Sequence, residues 1–328
     1  MLKNGEMAMN TEETTQKDKK ILFSYVGLIF VVVMWGLAPI LTVELYDYYS
    51  SSISSAITSF VSATSILIYS RKKLKLLNAD YFKPAITFGF FLAGANLSQK
   101  LGLTLTTPTH SAFLENLSCV VVPFLSFLFI RKKPTVLKIV ASVICLIGAL
   151  FLSGIDLSTG EIRFGAGEIL CSIAGIFYGV NIAGTGAFAK KLDSSLYVMI
   201  QMSVLFVMSI IAVIFFNFVP INGAVIEKVK FSIDFLPLLS IVAYAIVMNA
   251  ICWIIRAHSQ KTVDATFVAI IMPFSSVITG AISILMGKEN ITSGFVIGVA
   301  LGILAILVSI WSDIREIKMD KKRKLRSE

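Results

Sequence analysis

Glu115 and Asn116 stand near the middle of THSAFLENLSCVVVPFLSFLF, residues 109–129, a largely apolar run long enough to cross a bilayer. A carboxylate centred in a membrane helix costs about 2.5–3.5 kcal/mol on insertion scales, so one that is kept is expected to face a bundle interior or water. Ser111, Glu115 and Ser118 follow i, i+4, i+7 spacing and share one helix face. Such a face binds a cationic group or carries a proton; the competing reading is a structural pair with Lys100. Asn96, Gln99 and Lys100, at i, i+3 and i+4, form a second polar face. It either lines the same space or hydrogen-bonds between helices, with Lys100 also near enough the membrane surface to snorkel. Tyr178, Asn181 and Thr185 share a stripe, Asn249 and Trp253 share another, and Trp35 lies mid-run rather than in an interfacial belt. Aromatic rings beside amides are typical of small-molecule pockets, although a lone aromatic in a helix is more often packing. The substrate-binding set expected on these grounds is Glu115, Asn96, Gln99, Trp35, Tyr178, Asn181 and Asn249.

Other polar residues carry plainer expectations. Ser51, Ser55, Thr58, Ser62 and Ser65 make a hydroxyl stripe whose favoured role is bonding back to its own helix. Asp264 sits where it favours a helix amino end, and Glu289 where it serves a turn. Neither His110 nor His258 has a neighbour that would make it a base. Cys119, Cys145, Cys171 and Cys252 all fall within apolar runs and lack CxxC spacing, which supports neither a disulfide framework nor a zinc site. No HExxH, GxSxG or glycine-rich phosphate loop occurs, so an enzyme is not expected, and neither is a metal or cofactor.

These residues need helices in a membrane to hold them. The chain is 56% apolar and only 15% charged, with a mean hydropathy of +0.83, against roughly 25% charged in soluble domains. Ten candidate spans lie near 21–44, 50–70, 81–102, 106–130, 136–154, 166–188, 195–218, 232–255, 262–286 and 292–312. Residues 1–20 read as a polar tail before an uncleaved first span. With that tail in the cytoplasm, 24 of the 29 basic residues fall on the inner side, Arg256 and Lys261 among them in an expected loop at 256–261. The bias places both ends in the cytoplasm. It also explains the +9 charge without a nucleic-acid partner, the basic tail at 313–328 lying beside anionic lipid.

A weak internal repeat is visible. Pro123 and Pro273 each interrupt an apolar span, and Gly148 and Gly298 each lie 25 residues further on. Five spans per half is an odd number, so two similar halves would be inverted in the membrane, an arrangement common in secondary transporters with a site near the midplane. Gly294, Gly298 and Gly302 repeat every four residues and predict close helix packing, either on the fifth span or in a homodimer.

WGLAPI in the first span, GLTLTTPTHSAFLENLSCVVVPFLSFLFIRKKP at the third-to-fourth junction and GKENITSGFVIGVALGILAI at the last span resemble the EamA family of the drug/metabolite transporter superfamily. Gln201 matches a frequent polar position in the seventh span of that family. The chain departs from it in having no arginine early in span two, and in having Lys132 and Lys133 where many members place glutamate. The resemblance spans about 21–312 and implies an all-α polytopic protein with ten transmembrane helices in two inverted five-helix repeats, 21–154 and 166–312. It further implies a central cavity and alternating access. The expected function is a secondary transporter, exporting a small organic metabolite or drug-like molecule across the cytoplasmic membrane, with a proton or counter-substrate as coupling partner. The alternative is a non-transporting membrane scaffold or receptor subunit, in which the polar faces satisfy one another and leave no wet cavity.

Overall fold

The computed structural model describes residues 2–131, 133–152, 165–220, 225–287 and 293–327. Among these the regular structure is entirely helical: α1 (Leu2–Leu45), α2 (Ser51–Ser70), α3 (Ala79–Leu103), α4 (Pro108–Glu115), α5 (Ser118–Ile130), α6 (Val136–Leu152), α7 (Ala166–Phe188), α8 (Ser194–Phe218), α9 (Phe235–Tyr244), α10 (Cys252–Ser259), α11 (Ala265–Ile271), α12 (Phe274–Leu285) and α13 (Ser293–Ser327). A short 3₁₀ turn, Arg71–Leu76, follows α2, and a π-helical segment, Ala245–Ile251, joins α9 to α10.

Seven helices among the described residues are long and apolar enough to cross a membrane, and Ser118–Ile130 and Val136–Phe151 are shorter apolar helices. Three expected spans therefore fall short on length or hydropathy alone. α3 carries Asp80, Lys83 and Lys100; the run at 106–130 is divided between α4 and α5; α6 has only 17 residues. The terminal stretches expected as polar tails are helical and continue the flanking helices. α1 begins at Leu2 and α13 runs to Ser327, because the first stretch carries Glu, Lys and Gln and the second Glu, Lys and Arg, residues that continue a helix at little cost.

The surface is apolar where lipid would lie: Val207, Ile210, Ile211, Ile214 and Phe215 of α8 are all exposed. The interior is unusually polar, as expected of a bundle in which association rests on close packing and interhelical hydrogen bonds. α6 packs along α13 through glycine: a Cβ on Gly148 would stand 3.0 Å from the Gly298 carbonyl oxygen and 3.2 Å from the Gly302 nitrogen. The four-residue glycine repeat thus meets the expected fifth span within the same chain.

Both proline-bearing spans are broken, though not alike. In the second, the interruption falls at Met272–Pro273, where proline has no N–H to give. In the first it falls at Asn116–Leu117, and Pro123 lies inside α5, so the expectation of a break at that proline is corrected. Both interruptions are closed by tighter i→i−3 bonds, Cys119 N–H to Asn116 O (2.9 Å) and Ser275 N–H to Met272 O (2.9 Å).

Helix ends are capped across the chain as well as locally. The Glu227 carboxylate accepts from the Ser51 and Ser52 backbone N–H groups, at 3.0 and 3.2 Å, and from the Ser52 hydroxyl. Asp264 caps α11 through the Thr266 N–H (2.8 Å), as expected, and lies 3.4 Å from the Lys138 ammonium. Asp193 caps α8, accepting from the Ser195 and Leu196 N–H groups and the Ser195 hydroxyl, and pairs with Lys73 at 3.0 Å. Burial would raise its pKa, but the hydrogen bonds from Ser195, Lys73 and Leu196 outweigh that and hold it below the usual carboxylate value. Asp193→Ala is expected to cost about 1 kcal/mol, the usual loss for an N-cap. Because the folded carboxyl titrates lower than the unfolded one, its contribution is present above the ordinary carboxylate range and fades as pH falls through the lowered value. Thermal unfolding of both proteins in detergent between pH 7 and pH 3 checks this: the two melting points should converge towards the acid end.

Candidate functional site

Between α1, α3, the α4–α5 break, α7 and the π segment with α10 lies a cavity of about 820 Å³ of empty space, its open mouth included. Its wall includes Trp35, Asn96, Gln99, Glu115, Tyr178 and Asn249, six of the seven residues expected from sequence, together with Ser118, Tyr244, Met248, Trp253 and Arg256.

Glu115 is the last residue of α4, half-buried, where the helix breaks. The Gln99 amide donates to its Oε1 at 2.5 Å and the Ser111 hydroxyl to the same oxygen at 3.2 Å. Gln99 in turn accepts from the Tyr178 hydroxyl at 2.6 Å. The donors of this chain run in one direction, from Tyr178 through Gln99 to the carboxylate, as a charge-accepting end requires. α7 can approach this break because Gly175 has no side chain: a Cβ there would overlap the Leu114 carbonyl oxygen and stand 3.1 Å from the Glu115 Cα. Asn116, the other polar residue of the run, is buried and donates to the Ser276 hydroxyl of α12 at 3.1 Å.

Lys100 does not pair with Glu115. Its ammonium is buried and donates to the Ser54 and Thr58 hydroxyls of α2, at 3.3 and 3.2 Å. The hydroxyls of α2 have two roles: Thr58 and Ser62 of the stripe, and Ser59 beside it, bond back to carbonyls three or four residues earlier, while Ser55 donates to the Asn96 Oδ1 at 3.0 Å. Asn96 is thereby fixed at the cavity wall.

The π segment shapes the far side. Its widened turn leaves carbonyls that other helices satisfy: the Trp35 indole donates to Met248 O at 3.0 Å and the Ser62 hydroxyl to Ala245 O at 2.9 Å. Trp35 is held against Trp253, ring centroids 5.1 Å apart, and Tyr178 lies 6.1 Å from the same ring. These contacts make three aromatic faces of one wall.

Two stripe residues expected near the site sit behind it. Asn181 is fully buried away from the cavity, donating to Phe88 O (2.9 Å) and accepting from Arg256 Nη2 (2.7 Å). Thr185 is also buried, its hydroxyl 3.4 Å from that of Tyr197. Gln201 is buried as well, without a hydrogen-bond partner and off the cavity wall. His258 is exposed, the side chain of His110 and all of Lys132 and Glu289 lie outside the described residues, and all four cysteines are buried and unbridged.

Arg256 is the residue that sequence reading placed wrongly. It belongs to α10 rather than to a loop, and it is 0% exposed, its guanidinium 4.4 Å from the centre of the Trp253 ring. Its spacing held the signal: Asn249, Trp253 and Arg256 fall at i, i+4 and i+7, one helix face.

A model of the EamA-like transporter family matches residues 22–154 and again 165–311. A protein of Archaeoglobus fulgidus described as an uncharacterized transporter is 22% identical over 290 residues, covering 88% of this chain and 86% of its own. A crystal structure described only as that of a protein superposes with a TM-score of 0.70 at 13% identity, covering 91% of this chain and 98% of its own, which shows a shared fold. With its apolar-surfaced helices and a family match over nearly its whole length, this chain is a multi-pass membrane protein and belongs to the EamA-like transporter family.

Proposed function

We propose that this protein is a secondary transporter that carries a small organic molecule outward across the cytoplasmic membrane, by alternating access around the cavity at Glu115. The observation that carries the reading is the cavity itself. A half-exposed carboxylate, fed by a one-way chain of donors and flanked by three aromatic rings, lies inside a bundle whose outer surface is apolar. A non-transporting scaffold needs no such space. Trp35, Tyr178 and Asn249 would orient the ligand, Asn96 and Gln99 would line its path, and Glu115 would set the charge preference and couple to a proton or counter-substrate. Asn181 would act from behind, through Arg256.

The same reading takes the chain as ten membrane crossings in two inverted halves of five, 21–154 and 166–312, with both ends in the cytoplasm. The separate family matches to the two halves support it, as do the paired breaks at Asn116–Leu117 and Met272–Pro273 and the bias of basic residues. The halves would rock against each other, exposing the cavity to one side at a time.

The test is accessibility. In a background with the four native cysteines replaced, Ser118→Cys on the cavity wall is expected to react with a membrane-impermeant thiol reagent applied from one side of oriented vesicles. Protection from both sides, at every pH and ion gradient tried, would count against a carrier.

A further inference from the structure

The outer faces of α1 and α9 do not close on each other. Leu41, Glu44 and Leu45 of α1, continued by Asp47 and Tyr48 in the turn after it, stand opposite Leu236, Ser240 and Ala243 of α9 and Val247 of the π segment. On α9 those positions follow i, i+4, i+7 and i+11 spacing, one helix face. Between the two faces runs a groove of about 1220 Å³ of empty space, its open side included. Side chains as small as Ser240 and Ala243 would let the helices meet, but Glu44 has no hydrogen-bond or ion-pair partner among the described residues. An unpaired carboxylate is costly to bury, so α9 stays off it. At the floor, the Thr42 hydroxyl donates to the Tyr244 oxygen at 3.1 Å and the ring bridges the gap. Tyr244 and Met248 also line the central cavity, so the two spaces share a wall.

We infer that this groove is a lipid site and that its occupant is a phospholipid with a primary-amine headgroup, one acyl chain lying in the groove and the ammonium at Glu44 and Asp47. The length fits: Leu236 to Met248 covers about 18 Å at 1.5 Å per residue, near the roughly 15 Å that one leaflet contributes to the hydrocarbon core. In the orientation proposed above this is the outer leaflet. The surroundings fit as well, since Val43 of α1 and Leu238 and Leu239 of α9 are exposed and apolar. The charged residues of the wall, Glu44 and Asp47, lie together at one end, where the apolar span of α1 stops at Leu45. Beside them the Lys230 ammonium donates to the Tyr46 carbonyl oxygen at 3.0 Å and has further protons to offer a phosphate. A soluble amine would have no use for the apolar length below, and an anionic headgroup would set its charge against two carboxylates.

The test is photolabelling of purified protein in detergent by phosphatidylethanolamine with a diazirine on one acyl chain, the labelled peptides being read by mass spectrometry. Labels are expected within 41–48 and 236–248. Unlabelled phosphatidylethanolamine should compete about three- to fivefold better than its N-acetyl derivative or phosphatidylglycerol, the scale of a partly exposed ion pair. Glu44→Gln with Asp47→Asn should remove that preference, and both positions are exposed, so the fold is not at stake. Ser240→Leu, which fills the groove, should lower labelling of both stretches. Labels spread evenly over the apolar surface overturn the inference, and so does equal competition by the amine and N-acetyl lipids. A preference that survives the double substitution overturns the assignment to these carboxylates. Chemical cross-links joining α9 of two copies in excess lipid would seat a second chain in the groove and overturn the lipid. One-sided labelling of Ser118→Cys bears only on the carrier reading, so either can fail alone.

Discussion

Replacing Glu115 by Gln is expected to reduce substrate flux in proteoliposomes by about 10- to 100-fold, the scale set by loss of one charge-assisted hydrogen bond of roughly 1.5–3 kcal/mol. The substitution keeps the size of the side chain, and an amide can still accept from Gln99 and Ser111, so folding should be little affected. What is lost is the negative charge and the ability to take up and release a proton. Wild-type flux should therefore vary with pH as the carboxylate changes state, and the variant's should not. Glu115→Asp retains the titration but withdraws the oxygen from Gln99, and should fall between the two. Because no metabolite is assumed, the flux measured is that of whichever ligand is found to bind the purified protein. Unchanged rate together with an unchanged pH profile would remove Glu115 from the mechanism.

Gly175→Val is expected to be the most damaging substitution that touches no polar group of the cavity. Even the first carbon of a side chain there overlaps the Leu114 carbonyl oxygen and crowds the Glu115 backbone. Backbone cannot swing aside as a flexible side chain can, so α7 must move off the α4–α5 break. Overpacking of this kind costs about 1–3 kcal/mol, which unfolding in detergent would read as a lowered melting point. The same displacement carries Glu115 away from Gln99, so flux should fall in whatever fraction of protein remains folded. Gly175→Ala should show the same pattern to a smaller degree. Ile176→Val, next in sequence but on an exposed position, should leave both measurements unchanged. If valine at 175 is tolerated, the close approach of α7 to the break does not hold Glu115 in place.

Much of this could be read along the chain because the physics involved is local. Whether a stretch prefers lipid depends on its own composition, and a carboxylate in such a stretch is anomalous wherever its neighbours lie. Glu115 could be singled out for that reason, and helical spacing put Asn96 with Gln99, and Asn249 with Trp253, on shared faces. The hydroxyls of α2 bond back to their own turns, which is again local chemistry. Even the glycine repeat announced close packing from its period, though not the partner.

What failed were statements about which helix meets which, and at what rotation. Lys100 and Glu115 lie on adjacent helices, and sequence allowed them to pair; the structure turns one towards α2 and the other towards Gln99 and Ser111. Asn181 has the right spacing for the cavity but lies off its wall, buried and bonded to Arg256 and Phe88. Arg256 carries no warning in the sequence that it is buried, since a charge a few positions from an expected helix end is ordinarily in water.

By itself, then, the order of residues determined that the chain enters a membrane as helices and that one acid within it demands a use, because insertion and burial costs attach to single segments and single side chains. Only the tertiary structure decided that this acid is fed by Tyr178 through Gln99, that Lys100 turns to hydroxyls of α2 instead of to the acid, and that the buried Arg256 shares the cavity wall. Those outcomes depend on helix rotations fixed by backbone-to-backbone approach at positions such as Gly148 and Gly175, distances that no single segment contains.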